Sequence, residues 1–283
     1  NISGDFLEAG TWRGGQSILA LATLHVTNSL THRKVIVADS FQGLPRPMHS
    51  EDLKDEFNFL CVAQWGLRKN LENTIKWFLE EFKDDEVGLV VKSNISKNST
   101  PDREDCKLKL EESLQGYKDA KCSVYLLHGE MSDEEIDAIY KHPKIKAMIS
   151  ATHGEGFGLP LFEAAYNALP VVAPGWSGHM DFLYGPVKDK KTKKVKNKPL
   201  FAKVDYSLKH VQRDAVWEDI LVKDAMWCFP LERDFKKKIR KVYTDTGMYN
   251  SWASTLSEHL RNEHSLSKVL DKMLKALIPE KWL

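Results

Sequence analysis

Few residue types in this 283-residue chain would settle its function at a glance. Cysteine occurs four times, at Cys61, Cys106, Cys122 and Cys228, with no Cys-x-x-Cys pair and no Cys/His spacing of a zinc site. That excludes a disulfide scaffold, and buried free thiols favour a reducing compartment. No apolar run reaches the ~18 residues that span a bilayer, and the opening residues lack the pattern of a secretory leader. An opening at Asn1 rather than Met is expected of a processed protein or a fragment. A dominant charge is lacking too: Lys plus Arg number 41 against 40 for Asp plus Glu, so no global field steers the chain to nucleic acid. Any anion site must be local. What is present is 42% hydrophobic and 10% aromatic residues, enough for one large core or two modest ones.

Strand and helix patterns alternate along the chain. Residues 1–50 read as a strand, helix, strand unit, with "GDFLEAG", "GGQSILALATLHVTN" and "KVIVADSF" in turn. Residues 51–57 carry the linker composition. From Asn58 to the C-terminus a second series begins with "NFLCVAQW" as a buried strand and "NLENTIKWFLEEF" as an amphipathic helix. "VGLVVKSN", "KCSVYLLHG", "IKAMISAT" and "LPVVAP" are the later strands; Ser132 and Glu135 form a capping box at the start of "SDEEIDAIYKH". The expectation is an α/β fold, a parallel Rossmann-like sheet with helices on both faces and ligands at the carboxyl ends of its strands. Residues 186–198, with seven lysines, read as a solvated loop or a phosphate or lipid-surface patch. In the helical tail from Leu231, the apolar stripe Trp252, Leu256, Leu260, Leu266, Val269, Leu270, Met273 and Leu277 is expected in the core.

The stretch "ATHGEGFGLPLFEAAYNALPVVAP" sets Glu155 and Glu163 eight positions apart around a glycine turn. Gly156 and Gly158 let backbone amides approach a ligand, Pro160 suits a first helical turn, and the helix start adds partial positive charge. Such a turn is an anion cradle for a diphosphate, and carboxylates on either side accept hydrogen bonds from paired hydroxyls. A nucleotide sugar has that shape. Dipole compensation by a glutamate in a first turn is the structural alternative.

The whole segment resembles the E-x7-E signature of retaining glycosyltransferases of the GT-B fold, family 4-like. The likeness extends to "FLCVAQWGLRKNLENTI", "VYLLHGEMSDEEIDAIYKHPKIKAMIS" and "WSGHMDFL", covering residues 58–183 and, loosely, the tail. It implies that Glu155 contacts hydroxyls of the transferred sugar and Glu163 the ribose, with the backbone of Phe157, Gly158 and Leu159 holding the diphosphate. Lys69 would meet the phosphates with Arg68 beside it. Gln64 stands where many members have arginine, and Lys92 is a substitute cation or a solvated lysine. His128, His153 and His179 fall on strand-end loops, where a structural role and a ligand contact are both open. Catalysis would be electrostatic, with no cofactor and no dedicated metal; no Asp-x-Asp clamp for a metal-bound diphosphate occurs.

The opening "GDFLEAGTWRGGQSI" and "KVIVADSFQGLP" resembles the macrocin O-methyltransferase group. It implies an S-adenosylmethionine loop at Glu8, Gly10 and Gly14, with Asp39 on the ribose; the likeness stops near Pro47. A full GT-B enzyme also has an acceptor-binding domain that this chain does not contain, so upstream sequence or a partner chain would supply it, or the methyltransferase-like piece would stand in its place. Three readings follow: a glycosyltransferase acting on a saccharide, lipid or protein acceptor; a non-catalytic nucleotide-sugar-binding scaffold; and a methyltransferase. The expected location is cytoplasmic or peripheral at a membrane.

Overall fold

The computed structural model describes residues 6–9, 35–38, 53–189, 191–218 and 220–277. The chain divides into two compact units, Asn1–Arg46 and Pro47–Leu283. In the first, β1 (Phe6–Ala9) pairs in parallel with β2 (Val35–Ala38), Phe6 opposite Val35 and Ala9 opposite Ala38. The helix expected between them, and Gly10, Gly14 and Asp39, lie outside the described residues.

The second unit is built on a six-stranded sheet, all of whose neighbours are parallel. Its strands are β3 (Asn58–Val62), β4 (Gly88–Lys92), β5 (Ser123–Leu127), β6 (Ile145–Ile149), β7 (Val171–Pro174) and β10 (Ala202–Val204), in the spatial order β10-β7-β6-β3-β4-β5. Winding runs outward from β3 through β4 to β5, then returns to β6 and runs the other way. The order reverses between β3 and β6, which in open parallel sheets is where a crevice forms at the carboxyl ends.

Strand alternation sorts the core into two layers. Phe59, Cys61, Leu89 and Val91 face helices α1 (Leu71–Phe82), α2 (Thr100–Leu114) and α5 (Glu232–Thr244). Leu60, Val90 and Met148 face α3 (Asp133–Tyr140), α4 (Leu159–Tyr166) and α6 (Thr246–Glu263). Helix α3 starts on the expected capping box of Ser132 and Glu135.

Within the stretch read as a linker, Leu53 is 2% exposed and the Asn58 side-chain amide donates to the Asp55 carbonyl at 2.6 Å. Two other expectations need correction. The lysine-rich segment is an antiparallel ribbon of β8 (Tyr184–Lys188) and β9 (Val195–Pro199). Finally, the apolar stripe of the tail is core only through α6, where Leu256 and Leu260 are buried. In α7 (Leu266–Leu277), Leu266, Leu270 and Met273 are exposed, since no described element lies against that face. A second ribbon, β11 (Tyr206–His210) with β12 (Met226–Pro230), was not foreseen.

Candidate functional site

Strand β3 ends in a short 3-10 turn, Leu67–Lys69, and β6 ends in the loop that carries Glu155. These are the two sides of the switch point, and the loops are stitched together. The Arg68 carbonyl accepts the His153 amide at 2.8 Å and the Thr152 hydroxyl at 3.1 Å. Arg68 Nη1 donates to the Gly154 carbonyl and reaches Glu155 Oε2 at 3.2 Å. Lys69 Nζ lies 2.7 Å from each Glu155 oxygen. Asn70, in the left-handed region at φ 52°, ends the turn and starts α1, with its amide on the Ala151 carbonyl at 2.8 Å. Beneath the pair sits the Cys61 thiol, which burial pushes up to about 12, with Lys69 pulling it down and Glu155 up. The floor under these charges is therefore a neutral thiol.

The glycine turn is held from behind. Ser177 Oγ accepts the Glu155 amide at 2.8 Å and donates to its carbonyl at 2.6 Å. Ser177 does so at φ 88°, a conformation that costs a non-glycine residue of order 1 kcal/mol and persists only where surroundings enforce it. The next residue has to be glycine, since a Cβ on Gly178 would lie 1.8 Å from the Gly156 carbonyl oxygen. A Cβ on Gly156, by contrast, would meet nothing within 4 Å. Gly158, at φ 91°, then turns the chain into α4, where its carbonyl accepts the amides of Leu161 and Phe162 at 2.9 and 3.0 Å. The amides of Phe157, Gly158 and Leu159 donate to no acceptor among the described residues, and the Phe157 and Leu159 side chains are exposed. Open amides at a helix start make an anion seat.

Glu163 lies in α4, its Oε2 accepting the Tyr140 hydroxyl at 2.9 Å from the end of α3. Burial raises the Glu163 pKa, the Tyr140 bond lowers it, and Asp133 raises it; the net shift is upward. Burial and Glu163 both push the Tyr140 hydroxyl upward, so it stays a donor.

The histidines divide. His153 adjoins the loop: its Nδ1 donates to the Cys228 carbonyl at 2.7 Å, and its ring stacks on Trp227 and leans on Phe229. Burial lowers its pKa against the opposing pull of that carbonyl. His179 is wholly buried, with Nε2 donating to the Pro174 carbonyl at 2.7 Å. Gln64, Lys92 and His128 are bonded elsewhere. The Gln64 amide reaches the Ile95 carbonyl at 2.6 Å and Lys92 Nζ the Gly129 carbonyl at 2.7 Å, so neither meets Glu155. Burial lowers the Lys92 pKa. His128 Nε2 lies 2.8 Å from Asp102 Oδ2.

The ligand atoms of Asp102, Cys106 and His128 fall within 4.8 Å of one another, a spacing that admits a metal. The Asp102 oxygens, however, already accept the amides of Ile95, Ser96 and Lys97 at 3.1, 2.8 and 3.4 Å. Burial, with Asp102 and Asp105 nearby, pushes the Cys106 thiol up to about 11. The cluster fits a latch on the 95–97 loop. Sequence reasoning missed Tyr140, Ser177 and Asp102, of which only Asp102 carries a local signal, three positions after the cap Ser99.

Comparisons with known proteins separate along the chain. The family model "Macrocin-O-methyltransferase (TylF)" matches residues 1–77, running past Pro47 through β3 and into α1. The likeness therefore extends further than the opening motifs indicated. Demethyldecarbamoylnovobiocin O-methyltransferase of Streptomyces niveus is 49% identical over 80 residues, 26% of this chain and 30% of that enzyme. The Streptomyces olivaceus enzyme "8-demethyl-8-(2,3-dimethoxy-alpha-L-rhamnosyl)-tetracenomycin-C 4'-O-methyltransferase" is 50% identical over 78 residues, again 30% of its length.

By structure, the chain resembles trehalose-6-phosphate synthase OtsA at TM-score 0.53 and 11% identity, covering 88% of this chain and 52% of that one. Anabaena HepE in complex with UDP-glucose gives TM-score 0.52 and 12% identity, with 96% and 63% covered. Sucrose-phosphate synthase from Thermosynechococcus elongatus gives 0.51 and 14%, with 96% and 57% covered. The fold is that of GT-B glycosyltransferases, with the Rossmann-like parallel sheet expected from the sequence. The chain spans between half and two thirds of the length of these enzymes.

Proposed function

We propose that the second unit binds a nucleoside diphosphate sugar at the β3/β6 switch point and transfers the sugar, with retention, to a saccharide, lipid or protein acceptor. The observation that carries this reading is the meeting of Lys69, from the end of β3, with Glu155, from the end of β6, beside the open amides of Phe157–Leu159. In this reading the diphosphate rests on those amides and draws Lys69 and Arg68 away from Glu155. Glu155 is then free to accept the sugar hydroxyls, and Glu163 holds the ribose diol with Tyr140 fixing one of its oxygens. Cation and amides stabilise the departing nucleoside diphosphate, an electrostatic device that needs no bound metal. HepE was solved with UDP-glucose, which makes that donor a reasonable first probe.

Residues 1–50 form a methyltransferase-like fragment, 51–57 the join, and 58–283 the nucleotide-sugar domain. An acceptor-binding domain or partner chain would complete the enzyme. The 49–50% identity to O-methyltransferases favours a second reading for the opening unit, S-adenosylmethionine binding at Glu8, Gly10, Gly14 and Asp39. Calorimetry tests both. UDP-glucose titrated into wild type and Glu163→Ala should show binding that the variant loses; equal affinities would remove the first reading. Absence of S-adenosylmethionine binding disposes of the second. Nucleoside diphosphate release or sugar transfer decides between an enzyme and a non-catalytic scaffold, and undiminished turnover in a chelator establishes metal independence.

A further inference from the structure

The geometry points to a docking surface for an anionic lipid bilayer, formed by helix α7 and the β8–β9 ribbon. Helix α7 leaves an apolar face open: Leu266, Leu270, Met273 and Leu274 are 76%, 48%, 52% and 49% exposed. At 3.6 residues per turn these four share one side of the helix, and Lys268, Lys272 and Lys275 occupy the other. Apolar residues on one face and lysines on the other are the composition of a helix that lies in a membrane interface. Lys268 and Lys275 pair with Glu263 and Asp271 at 2.7 Å, and Lys272 with Glu263 at 3.3 Å. Exposed pairs of this kind contribute little and exchange readily for lipid phosphates. Across the described residues no helix is long and apolar enough to cross a membrane, so this contact would be peripheral.

The ribbon supplies the second observation. Residues 186–198 hold seven lysines and a single acid, Asp189. That acid is used internally: its Oδ1 accepts the amides of Lys191 and Thr192 at 3.0 and 2.7 Å and the Thr192 hydroxyl at 3.0 Å, building the tip. Lys188, Lys191, Lys193, Lys194, Lys196 and Lys198 form no ion pair among the described residues. Ribbon and helix leave the same end of α6. Strand β8 packs on that helix, a Cβ on Gly185 coming within 3.8 Å of the ring of His259, one turn before the helix ends at Glu263; α7 starts at Leu266.

Charge selects the occupant. A second copy of the chain brings the same lysines, and residues 1–46 carry four basic against three acidic residues, so neither offers an anionic face; an acceptor-binding domain could cover the apolar side of α7 but leaves the unpaired lysines of the ribbon without a partner. A bilayer with acidic headgroups offers both phosphates for the lysines and an apolar layer for Leu266, Leu270, Met273 and Leu274.

The test is cosedimentation of the full chain with phosphatidylcholine vesicles, alone or with about 30% phosphatidylserine. Wild type should sediment with the acidic vesicles only, and raised salt should weaken the binding. Replacing Lys191, Lys193, Lys194 and Lys196 together by Glu should lower the partition coefficient roughly 1000-fold. Leu270→Glu with Met273→Glu should abolish the binding that persists in salt. All six positions are exposed, so the far-UV spectrum should be unchanged. Equal sedimentation with both vesicle types, or variants that bind like wild type, would overturn the proposal. So would a concentration-dependent dimer that the α7 variant dissociates while vesicle binding is retained.

Discussion

Two carboxylates at the carboxyl edge of the sheet meet a basic group at nearly the same distance, yet they do opposite work. Asp102 sits 2.8 Å from His128 and has three backbone amides on its oxygens, donors fixed in place by the chain itself. Glu155 is met at 2.7 Å by Lys69 and at 3.2 Å by Arg68, donors at the ends of long side chains that can swing to another anion. Backbone donors make a latch, whereas side-chain donors make a corner that a ligand can reopen. Burial alone does not separate them, for the Asp102 and Glu155 side chains are 7% and 8% exposed.

The comparison breaks most visibly at Lys69. Lys69→Ala should cut sugar transfer by roughly 100- to 1000-fold, the scale of losing one pre-organised electrostatic contact, while leaving the melting temperature nearly unchanged. Asp102→Ala should do the reverse: three amides and His128 lose their acceptor, costing about 3 kcal/mol in denaturant unfolding, with donor affinity preserved. Loss of donor binding in that variant would mean the two corners are coupled. Gly178→Ala sharpens the contrast within the Glu155 corner, since its Cβ would collide with the Gly156 carbonyl. We expect donor affinity to fall at least tenfold there, a change of about 1.4 kcal/mol, with the far-UV spectrum intact.

Two pH profiles give smaller effects. For Asp102, burial raises the pKa, but His128 and the amides of Ser96, Ile95 and Lys97 outweigh it and hold the group below its ordinary 3.8. The stability it contributes is thus fully present above that ordinary value and lost as pH falls through the folded one, so Asp102→Asn should flatten the acid limb of a stability profile. For Glu163 the net shift is upward, and donor affinity should rise with pH as the carboxyl ionises. Tyr140→Phe removes the bond that lowers this pKa, so the midpoint of the affinity profile should move to higher pH; an unmoved midpoint would detach Tyr140 from the site.

Five of the six sheet strands and the Glu155 turn were legible in the sequence because alternation, helical period and glycine placement are local signals; the three-residue edge strand β10 is too short to show a period. Gly158 and Lys69 could be chosen for what their own backbone or charge allows. Tyr140 and Ser177 could not, since each acts on a glutamate 23 or 22 positions away and nothing in their neighbourhood marks it. Lys92 and Gln64 show the converse error: a cation or amide at a strand end fits a diphosphate on paper, but carbonyls at Gly129 and Ile95 claim them. Helix α7 shows another. Helical period tells which face is apolar, not whether a neighbour covers it, so Leu266 and Leu256 look alike in sequence and differ in exposure, 76% against 1%.

The most direct measurement is a crystal structure of the full chain with UDP-glucose. The account predicts the diphosphate on the amides of Phe157, Gly158 and Leu159, Lys69 Nζ transferred from Glu155 to a phosphate oxygen, and the ribose hydroxyls on Glu163. A nucleotide bound away from the β3/β6 switch point, with the Lys69–Glu155 pair intact, would contradict it.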